Sequence, residues 1–187
     1  MDKIVFFYCK RDEESRRDRQ KLLLALVKQL ACPPVTSTGI YAEALEAYKK
    51  EQKDPASRGE LNIKDSLQLL GKLLGHYKHP VIVLDALDEC PEETRDVIIG
   101  DLRSVLDNAS HPVKVFIASR HSLDIEDRLQ DLPHLRIEAR DNAEDIENYV
   151  TKELALMVDN KRLLRGKISP ELKQLIKDVL LRDAYGM

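Results

Sequence analysis

The stretch that decides the fold is Val-Ile-Val-Leu-Asp-Ala-Leu-Asp-Glu-Cys, residues 81–90. It opens with four consecutive apolar residues, and a run without alternation is typical of a central parallel strand buried on both faces. The run ends at Asp85, and two further acids, Asp88 and Glu89, follow within the next four positions. Ligands of open α/β sheets bind at the carboxyl ends of the strands. The stretch therefore predicts a buried strand that delivers carboxylates to a ligand-binding edge.

The residues around this stretch alternate between predicted strands and predicted helices. Further strands are predicted at 4–9, 113–118 and 134–138. Apolar residues recur at helical spacing between them, which predicts helices near 22–30, 40–53, 63–74, 91–105, 123–130, 141–157 and 169–179. This alternation predicts an α/β fold with a mainly parallel sheet.

The two predicted C-terminal helices have recognisable start signals. Asp141 with Glu144 three residues later resembles a capping box, and Ser169-Pro170-Glu171 has the residue order of a helix N-terminus. We expect the apolar stripes of both helices to be buried; they comprise Ile146, Val150, Leu154 and Met157 in the first, and Leu172, Leu175, Ile176 and Val179 in the second.

Composition and charge narrow the function classes. The net charge of −3 in 187 residues gives no basic field for nucleic acid or an anionic membrane. We therefore expect no nucleic-acid partner, and no membrane span because no apolar run approaches the ~20 residues that a span needs. Three cysteines, Cys9, Cys32 and Cys90, are typical of reduced thiols in an intracellular protein, and we expect a cytoplasmic location.

The acids of residues 85–89 suit the chemistry of phosphate transfer. A single carboxylate such as Asp85 can hold a hydrated Mg²⁺, because this hard cation keeps several of its waters. A later acid can then orient a water toward a γ-phosphate. The alternative is an acidic strand-to-helix turn in which Glu92 and Glu93 favour the helix dipole. An Asp-x-Asp phosphatase is excluded because Leu87 occupies the second position.

The segment Leu84–Cys90 resembles the Walker B motif of the NACHT domain, a signalling domain of the STAND class of P-loop NTPases, and in particular its fungal NLR-like and nephrocystin-like branch. The strand at 115–120, which ends in Ser119-Arg120, is similar to the sensor 1 strand of that family. The opening segment Phe6–Asp12 resembles the family's second strand and its charged exit. The resemblance covers nearly the whole chain and implies a three-layer α/β/α fold of P-loop NTPase type.

The resemblance also implies roles for individual residues. Asp85 would bind Mg²⁺ through water, and Asp88 or Glu89 would position or activate the hydrolytic water. Arg120 would sense or neutralise the γ-phosphate, and Ser119 would bind the cofactor beside it. The cofactors of the complete domain would be ATP or GTP with Mg²⁺. Its partners would be further copies of itself, with an effector domain before this region and a repeat domain after it. For Arg120 the alternative is a surface salt bridge to a nearby acid such as Asp124.

One departure from the family pattern matters for function. No G-x-x-x-x-G-K-[ST] phosphate-binding loop occurs: Gly71-Lys72 and Gly166-Lys167 both lack the spacing and the following Ser or Thr. In this family the strand that carries the loop lies between the sensor 1 strand and the strand predicted here at 134–138. We therefore expect a partial domain, with an incomplete nucleotide-binding core at 1–140 and a helical segment at 141–187.

Two functions remain open at this point. The first is a fragment of a nucleotide-dependent signalling switch that binds and slowly hydrolyses ATP or GTP in the complete protein, while this chain alone lacks nucleotide competence. The second is a protein–protein interaction module, or a degenerate paralogue without nucleotide chemistry. Whether the chain counts as an enzyme depends on which of the two holds.

Overall fold

The computed structural model describes residues 2–33, 39–53, 59–137 and 139–184. The chain divides into two compact units, Met1–Leu132 and Pro133–Met187. The first contains the parallel sheet and the second contains two long helices. Each unit has its own internal packing and is described by itself.

The first unit is an α/β structure built on three parallel strands. The strands are β1 (Asp2–Tyr8), β2 (His79–Asp85) and β3 (Lys114–Ile117), in the spatial order β1-β2-β3. Five helices accompany them: α1 (Arg19–Ala31), α2 (Ala42–Lys53), α3 (Ile63–Leu74), α4 (Glu92–Asp107) and α5 (Leu123–Leu129). The predicted α/β class and parallel sheet are confirmed, and helices packed on one face of this sheet are consistent with part of a three-layer α/β/α fold.

Local signals in the sequence set the helix starts. The Asp18 carboxylate accepts the backbone N–H of Lys21 at 2.8 Å, which satisfies one of the donors left free in the first turn of α1. The Asn62 side chain accepts the N–H of Asp65 at 2.9 Å and caps α3 in the same way. Pro91 lies at the N-cap position of α4, where a missing N–H costs nothing.

One face of the sheet is covered by helices, and we call it the covered face. Val5 of β1 pairs with Ile82 of β2, and both side chains are fully buried, as is Leu84 two positions on. These residues share one hydrophobic core with the inward faces of α1, α3 and α4. Burial of side chains of this size contributes roughly 1.5–3 kcal/mol each, so the covered face is the main source of folding stability in this unit.

The other face of the sheet, which we call the open face, is apolar but exposed. Successive side chains of a strand point to opposite faces, and the register places Ile4, Phe6, Tyr8, Val81, Val83 and Phe116 together on this side. Ile4, Phe6, Tyr8 and Phe116 are 47–64% exposed. The described residues therefore leave an apolar surface on this face of the sheet.

The predicted strand at 134–138 is wrong for the residues that can be checked. Residues 134–137 have no regular structure, and residue 138 lies outside the described part of the chain. Leu135 and Ile137 are 87% and 70% exposed. A strand is stable only beside a hydrogen-bonding neighbour, and within the described residues the sheet ends at β3.

The second unit consists mainly of α6 (Ala143–Asp159) and α7 (Pro170–Ala184). The start of α7 is confirmed, because the Ser169 hydroxyl accepts the N–H of Leu172 at 3.2 Å. The start of α6 is not: Asp141 lies in a preceding short 3₁₀ helix, and the N-cap residue Asn142 makes no side-chain capping bond.

The predicted apolar stripes of α6 and α7 are mostly not buried. Only Leu154 is buried among the described residues of this unit, while Ile146, Val150 and Ile176 are half-buried. The remaining members are exposed; they are Met157, Leu172, Leu175 and Val179. Two helices can bury only the side chains at their mutual contact. The predicted helical spacing of α6 and α7 is therefore confirmed, whereas the predicted burial of their apolar stripes is wrong. No helix in the described ranges is long and apolar enough to cross a membrane.

Candidate functional site

The residues predicted from the sequence meet at the carboxyl edge of the sheet, in the loop that follows β2. We call residues 85–90 the acidic loop. Ala86 has a left-handed backbone (φ 55°, ψ 46°), which turns the chain sharply after the strand and starts a short 3₁₀ helix at Leu87–Glu89. The N–H of Leu87 donates to the carbonyl of Ala118 at 3.1 Å. The acidic loop is thus fixed to the end of β3, beside Ser119 and Arg120.

Asp85 is the acid at the end of β2 and lies on the side of the open face. Asp85 pairs with Tyr8 of β1 across the sheet, and its backbone carbonyl accepts the N–H of Cys9 at 2.9 Å. The side chain is half-buried, and within the described ranges its carboxylate has no hydrogen bond or ion pair. Because its oxygens are not engaged elsewhere, this carboxylate can bind an external donor or a hydrated cation.

The Asp88 side chain is buried and hydrogen-bonded within the protein. The residue is only 7% exposed, and its Oδ1 accepts the backbone N–H of Arg120 at 2.9 Å. Its Oδ2 lies 3.9 Å from Nε of the Arg120 side chain. A buried carboxylate that already accepts a backbone N–H positions the chain after β3, and this favours a positioning role over a catalytic one.

Glu89 is the acid that faces the open edge of the site. Its Oε2 accepts the backbone N–H of Arg11 at 3.2 Å, and the Arg11 guanidinium lies 3.6 Å from the same oxygen. Its Oε1 lies 3.8 Å from the Arg120 guanidinium. With 22% of the side chain exposed, the carboxylate is held between two basic residues, Arg11 and Arg120, which lie in the segments that follow β1 and β3, and it still reaches solvent. Glu89 therefore combines a fixed position with access, as a water-orienting acid requires.

Ser119 and Arg120 follow β3 and differ in what their side chains do. The Ser119 hydroxyl donates to the carbonyl of Arg120 at 2.9 Å, so it stabilises a local turn. The Arg120 side chain is 83% exposed and lies near both Asp88 and Glu89 at 3.8–3.9 Å. Such long, solvated ion pairs contribute little to stability, and the guanidinium is therefore available to an anion.

Arg95 of α4 is an important residue that sequence reasoning missed. Its guanidinium donates to the carbonyls of Asp88 at 2.6 Å and Cys90 at 2.7 Å, and so supports the acidic loop from below. It also donates to the Asp124 carboxylate at 2.9 Å and to the hydroxyl of Ser122 at 3.1 Å. One half-buried side chain thus joins the acidic loop to the start of α5.

This network also decides the alternative partner for Arg120. Asp124 pairs with Arg95, so it is not the partner of Arg120, but the exposed Arg120 does lie at ion-pair distance from two other nearby acids, Asp88 and Glu89. Burial alone would raise the pKa of Asp124, but hydrogen bonds from Ser122 and Arg95 outweigh that effect and lower its pKa below the ordinary value. Nothing in the sequence marks Arg95, because a single arginine one turn into a helix is a common surface residue.

The donor set fits part of what a nucleotide needs. Oxygen ligands suit Mg²⁺, and Asp85 offers one carboxylate, although no group of three or more His, Cys, Asp or Glu residues in the described ranges is arranged to hold a metal ion. Phosphates need a backbone N–H cradle, and the sequence contains no glycine-lysine loop to form one. The residues fit the metal and the γ-phosphate side of such a site, and not the remaining phosphates.

The comparison with protein families gives a match over the sheet-bearing unit. The model described as Nephrocystin 3, N-terminal, matches residues 1–120, well over half of the 187. The matched region runs from β1 to Arg120 and includes all five residues predicted from the sequence. Neither the curated proteins nor the solved structures give a match. The chain belongs to the nephrocystin 3 N-terminal family.

Proposed function

We propose that this chain forms the Walker B and sensor 1 part of a NACHT-type nucleotide-dependent signalling switch. The observation that carries the proposal is the meeting of Asp85, Glu89 and Arg120 at the carboxyl edge of a parallel sheet. This is the edge where ligands of α/β proteins bind. Membership of the nephrocystin 3 N-terminal family supports the proposal at a coarser level.

The geometry refines the roles that the sequence left open. Asp85 has the uncommitted carboxylate and is the proposed ligand of hydrated Mg²⁺, which would supply charge neutralisation at the transferred phosphate when bound. Glu89 is the proposed water-orienting acid, because it is fixed and accessible. Asp88 holds the backbone of Arg120 and is proposed to position that residue. Arg120 is the proposed contact for the γ-phosphate, whereas Ser119 acts through the local turn.

The phosphate loop is proposed to come from residues of the parent protein other than residues 1–187. β3 has no further strand beside it among the described residues, and none of the described helices of the first unit covers the open face. A further strand could pair with β3, and a helix that follows it could cover the open face. In P-loop proteins the phosphate loop lies between such a strand and such a helix. ATP or GTP would then bind in the complete domain, with self-association, an effector domain and a repeat domain as further proposals.

Titration calorimetry tests this division of labour. Residues 1–187 alone should give no micromolar binding of MgATP or MgGTP, because the N–H cradle that makes most phosphate contacts is not in the sequence. The full-length parent protein should bind one of these nucleotides. Micromolar binding to residues 1–187 would contradict the proposal that the phosphate loop lies outside this chain.

Substitution of Glu89 in the parent protein tests the catalytic assignment. Glu89→Gln should leave nucleotide binding intact and slow hydrolysis about a hundredfold or more, because an amide cannot accept the proton of an attacking water. The matched control is Glu92→Gln, which changes an exposed acid in the first turn of α4 and should leave hydrolysis unchanged. Equal hydrolysis in the two variants would remove the role assigned to Glu89.

An interaction module without nucleotide chemistry is the second candidate, and the open face favours it. Exposed Phe6, Tyr8 and Phe116 provide an apolar surface of the kind that binds other proteins. On this alternative, Asp85→Ala in the parent protein would change neither nucleotide binding nor assembly. On the switch proposal it would weaken magnesium-dependent nucleotide binding, so one variant separates the two functions.

A further inference from the structure

The connection between α6 and α7 contains a local concentration of positive charge, and we call its residues 160–169 the basic loop. The loop has four cations and no acid, and the nearest acids along the chain are Asp159 before it and Glu171 after it. All four cations are exposed, and among the described residues none of their side chains has a hydrogen bond or ion pair; they are Lys161, Arg162, Arg165 and Lys167. The net charge of −3 averages over the whole chain and does not reveal this loop.

The backbone of the basic loop is held in place and is strained at its centre. The N–H groups of Arg162 and Leu163 both donate to the carbonyl of Met157, at 2.9 and 3.0 Å, which folds the loop back onto the end of α6. Leu164 and Arg165 nevertheless have left-handed φ angles of 46° and 55°. Left-handed residues other than glycine cost free energy, and such strain clusters at sites that bind ligands.

The strained Leu164 is also exposed, with 51% of its surface open to solvent. Asparagine and glycine adopt the left-handed conformation more readily than leucine, so the backbone does not favour leucine at this position. Cations near a helix C-terminus interact favourably with the helix dipole, which accounts for Lys161 and Arg162 but not for an exposed leucine beside them. An apolar side chain flanked by cations indicates a surface that makes both kinds of contact.

We propose that the basic loop binds the surface of an anionic phospholipid membrane. Leu164 enters the boundary between headgroups and acyl chains, and the four cations contact the anionic groups of the lipid headgroups. A nucleic acid fits this loop less well, because residues 160–169 include no aromatic side chain on which a base stacks. The binding is peripheral, requires no membrane-spanning helix, and does not rest on the proposed nucleotide function.

Screening allows the basic loop to act although the chain as a whole is acidic. At physiological ionic strength the Debye length is about 8 Å, so acids farther than this from the membrane contribute little. Each cation close to an anionic surface strengthens binding about fivefold. Burial of the Leu164 side chain strengthens it roughly tenfold. The two contributions are separable, because salt weakens the first and leaves the second largely unchanged.

Flotation of residues 1–187 with lipid vesicles tests the proposal. The chain should float with phosphatidylcholine vesicles that contain about 30 mol% phosphatidylserine at an ionic strength of about 0.1 M, and not with phosphatidylcholine alone. Replacement of all four loop cations with glutamine should weaken binding at least about a hundredfold. A matched control makes the same change in net charge at four exposed lysines elsewhere and should keep binding within about fivefold of wild type; these are Lys28, Lys49, Lys64 and Lys78.

Leu164→Asn separates membrane insertion from a structural role. Asparagine tolerates the left-handed conformation better than leucine, so the free energy of unfolding should be unchanged or higher. Vesicle binding should nevertheless fall about tenfold, because the inserted apolar side chain is lost. Urea unfolding and flotation measure the two quantities on the same variant. Undiminished binding of Leu164→Asn would contradict the role assigned to the leucine.

Three results would overturn the proposal as a whole. The first is that wild type fails to float with the phosphatidylserine vesicles, and the second is that the variant without loop cations floats equally well. The third is loop-dependent binding to single-stranded RNA without binding to vesicles, which would assign these cations to nucleic acid. None of these measurements involves nucleotide binding or hydrolysis, so this proposal and the proposed function fail independently.

Discussion

The covered face and the open face of the sheet contain similar residues in very different environments. On the covered face, Ile82 and Leu84 are fully buried in a core shared with three helices. On the open face, Phe6 and Phe116 are 47% and 62% exposed. Because side chains alternate along a strand, neighbouring positions of β2 serve different ends. The side chains on the covered face stabilise the unit, and those on the open face are available for contact with a further structural element or a partner protein.

The largest expected effect separates the two faces within one strand. Leu84→Ala should lower the free energy of unfolding by about 3 kcal/mol, because it leaves a cavity in the core. Val83→Ala, at the adjacent half-buried position, should cost less than about 1 kcal/mol. Urea unfolding of the two variants measures the difference. Equal losses would mean that the open face is covered in the folded protein.

Much of the fold was predictable because buried parallel strands have a strong sequence signal. Four apolar residues before Asp85 predicted β2, and the runs that begin at Ile4 and Val113 predicted its two neighbours. The segment at 134–137 failed because strand formation depends on a neighbour, which local sequence does not encode. Helical periodicity located α6 and α7 correctly. Periodicity shows which face of a helix is apolar, but it does not show whether another element packs against that face.

The candidate site was predictable in its members and not in their contacts. Strand ends identified Asp85 and Arg120, since parallel strands bring their carboxyl ends to one edge. The division between Asp88 and Glu89 required coordinates, because it depends on which acid accepts the N–H of Arg120. Arg95 was missed for the same reason: its importance comes from four partners that only the folded chain brings together.

The contrast between buried and open positions extends to the acidic loop. Asp88→Ala should lower the free energy of unfolding by about 2 kcal/mol, because it leaves the N–H of Arg120 without its charged acceptor. Asp88→Asn should lose much less, since the amide oxygen can accept the same bond. Chemical denaturation of both variants measures the effect.

Asp85→Ala is the matched control on the open side of the same loop. Its carboxylate has no hydrogen bond or ion pair within the described residues, so its removal should change stability by no more than about 0.5 kcal/mol. A loss at Asp85 as large as the loss at Asp88 would show that both acids are structural, and Asp85 would no longer be a candidate metal ligand.

The smallest expected effect concerns the two edges of the sheet, which differ as the two faces do. At the β1 edge, the Gln29 side chain accepts the N–H of Phe6 at 3.0 Å and donates to its carbonyl at 2.8 Å, as a neighbouring strand would. Gln29→Ala should cost about 1 kcal/mol and speed exchange of the Phe6 amide hydrogen roughly fivefold. Lys28→Ala, at the exposed position beside it, should change neither quantity. Unchanged Phe6 exchange in Gln29→Ala would mean that another group protects this edge. The comparison between a β1 edge protected by Gln29 and an unprotected β3 edge would then fail. It would no longer support β3 as the edge at which a further strand pairs.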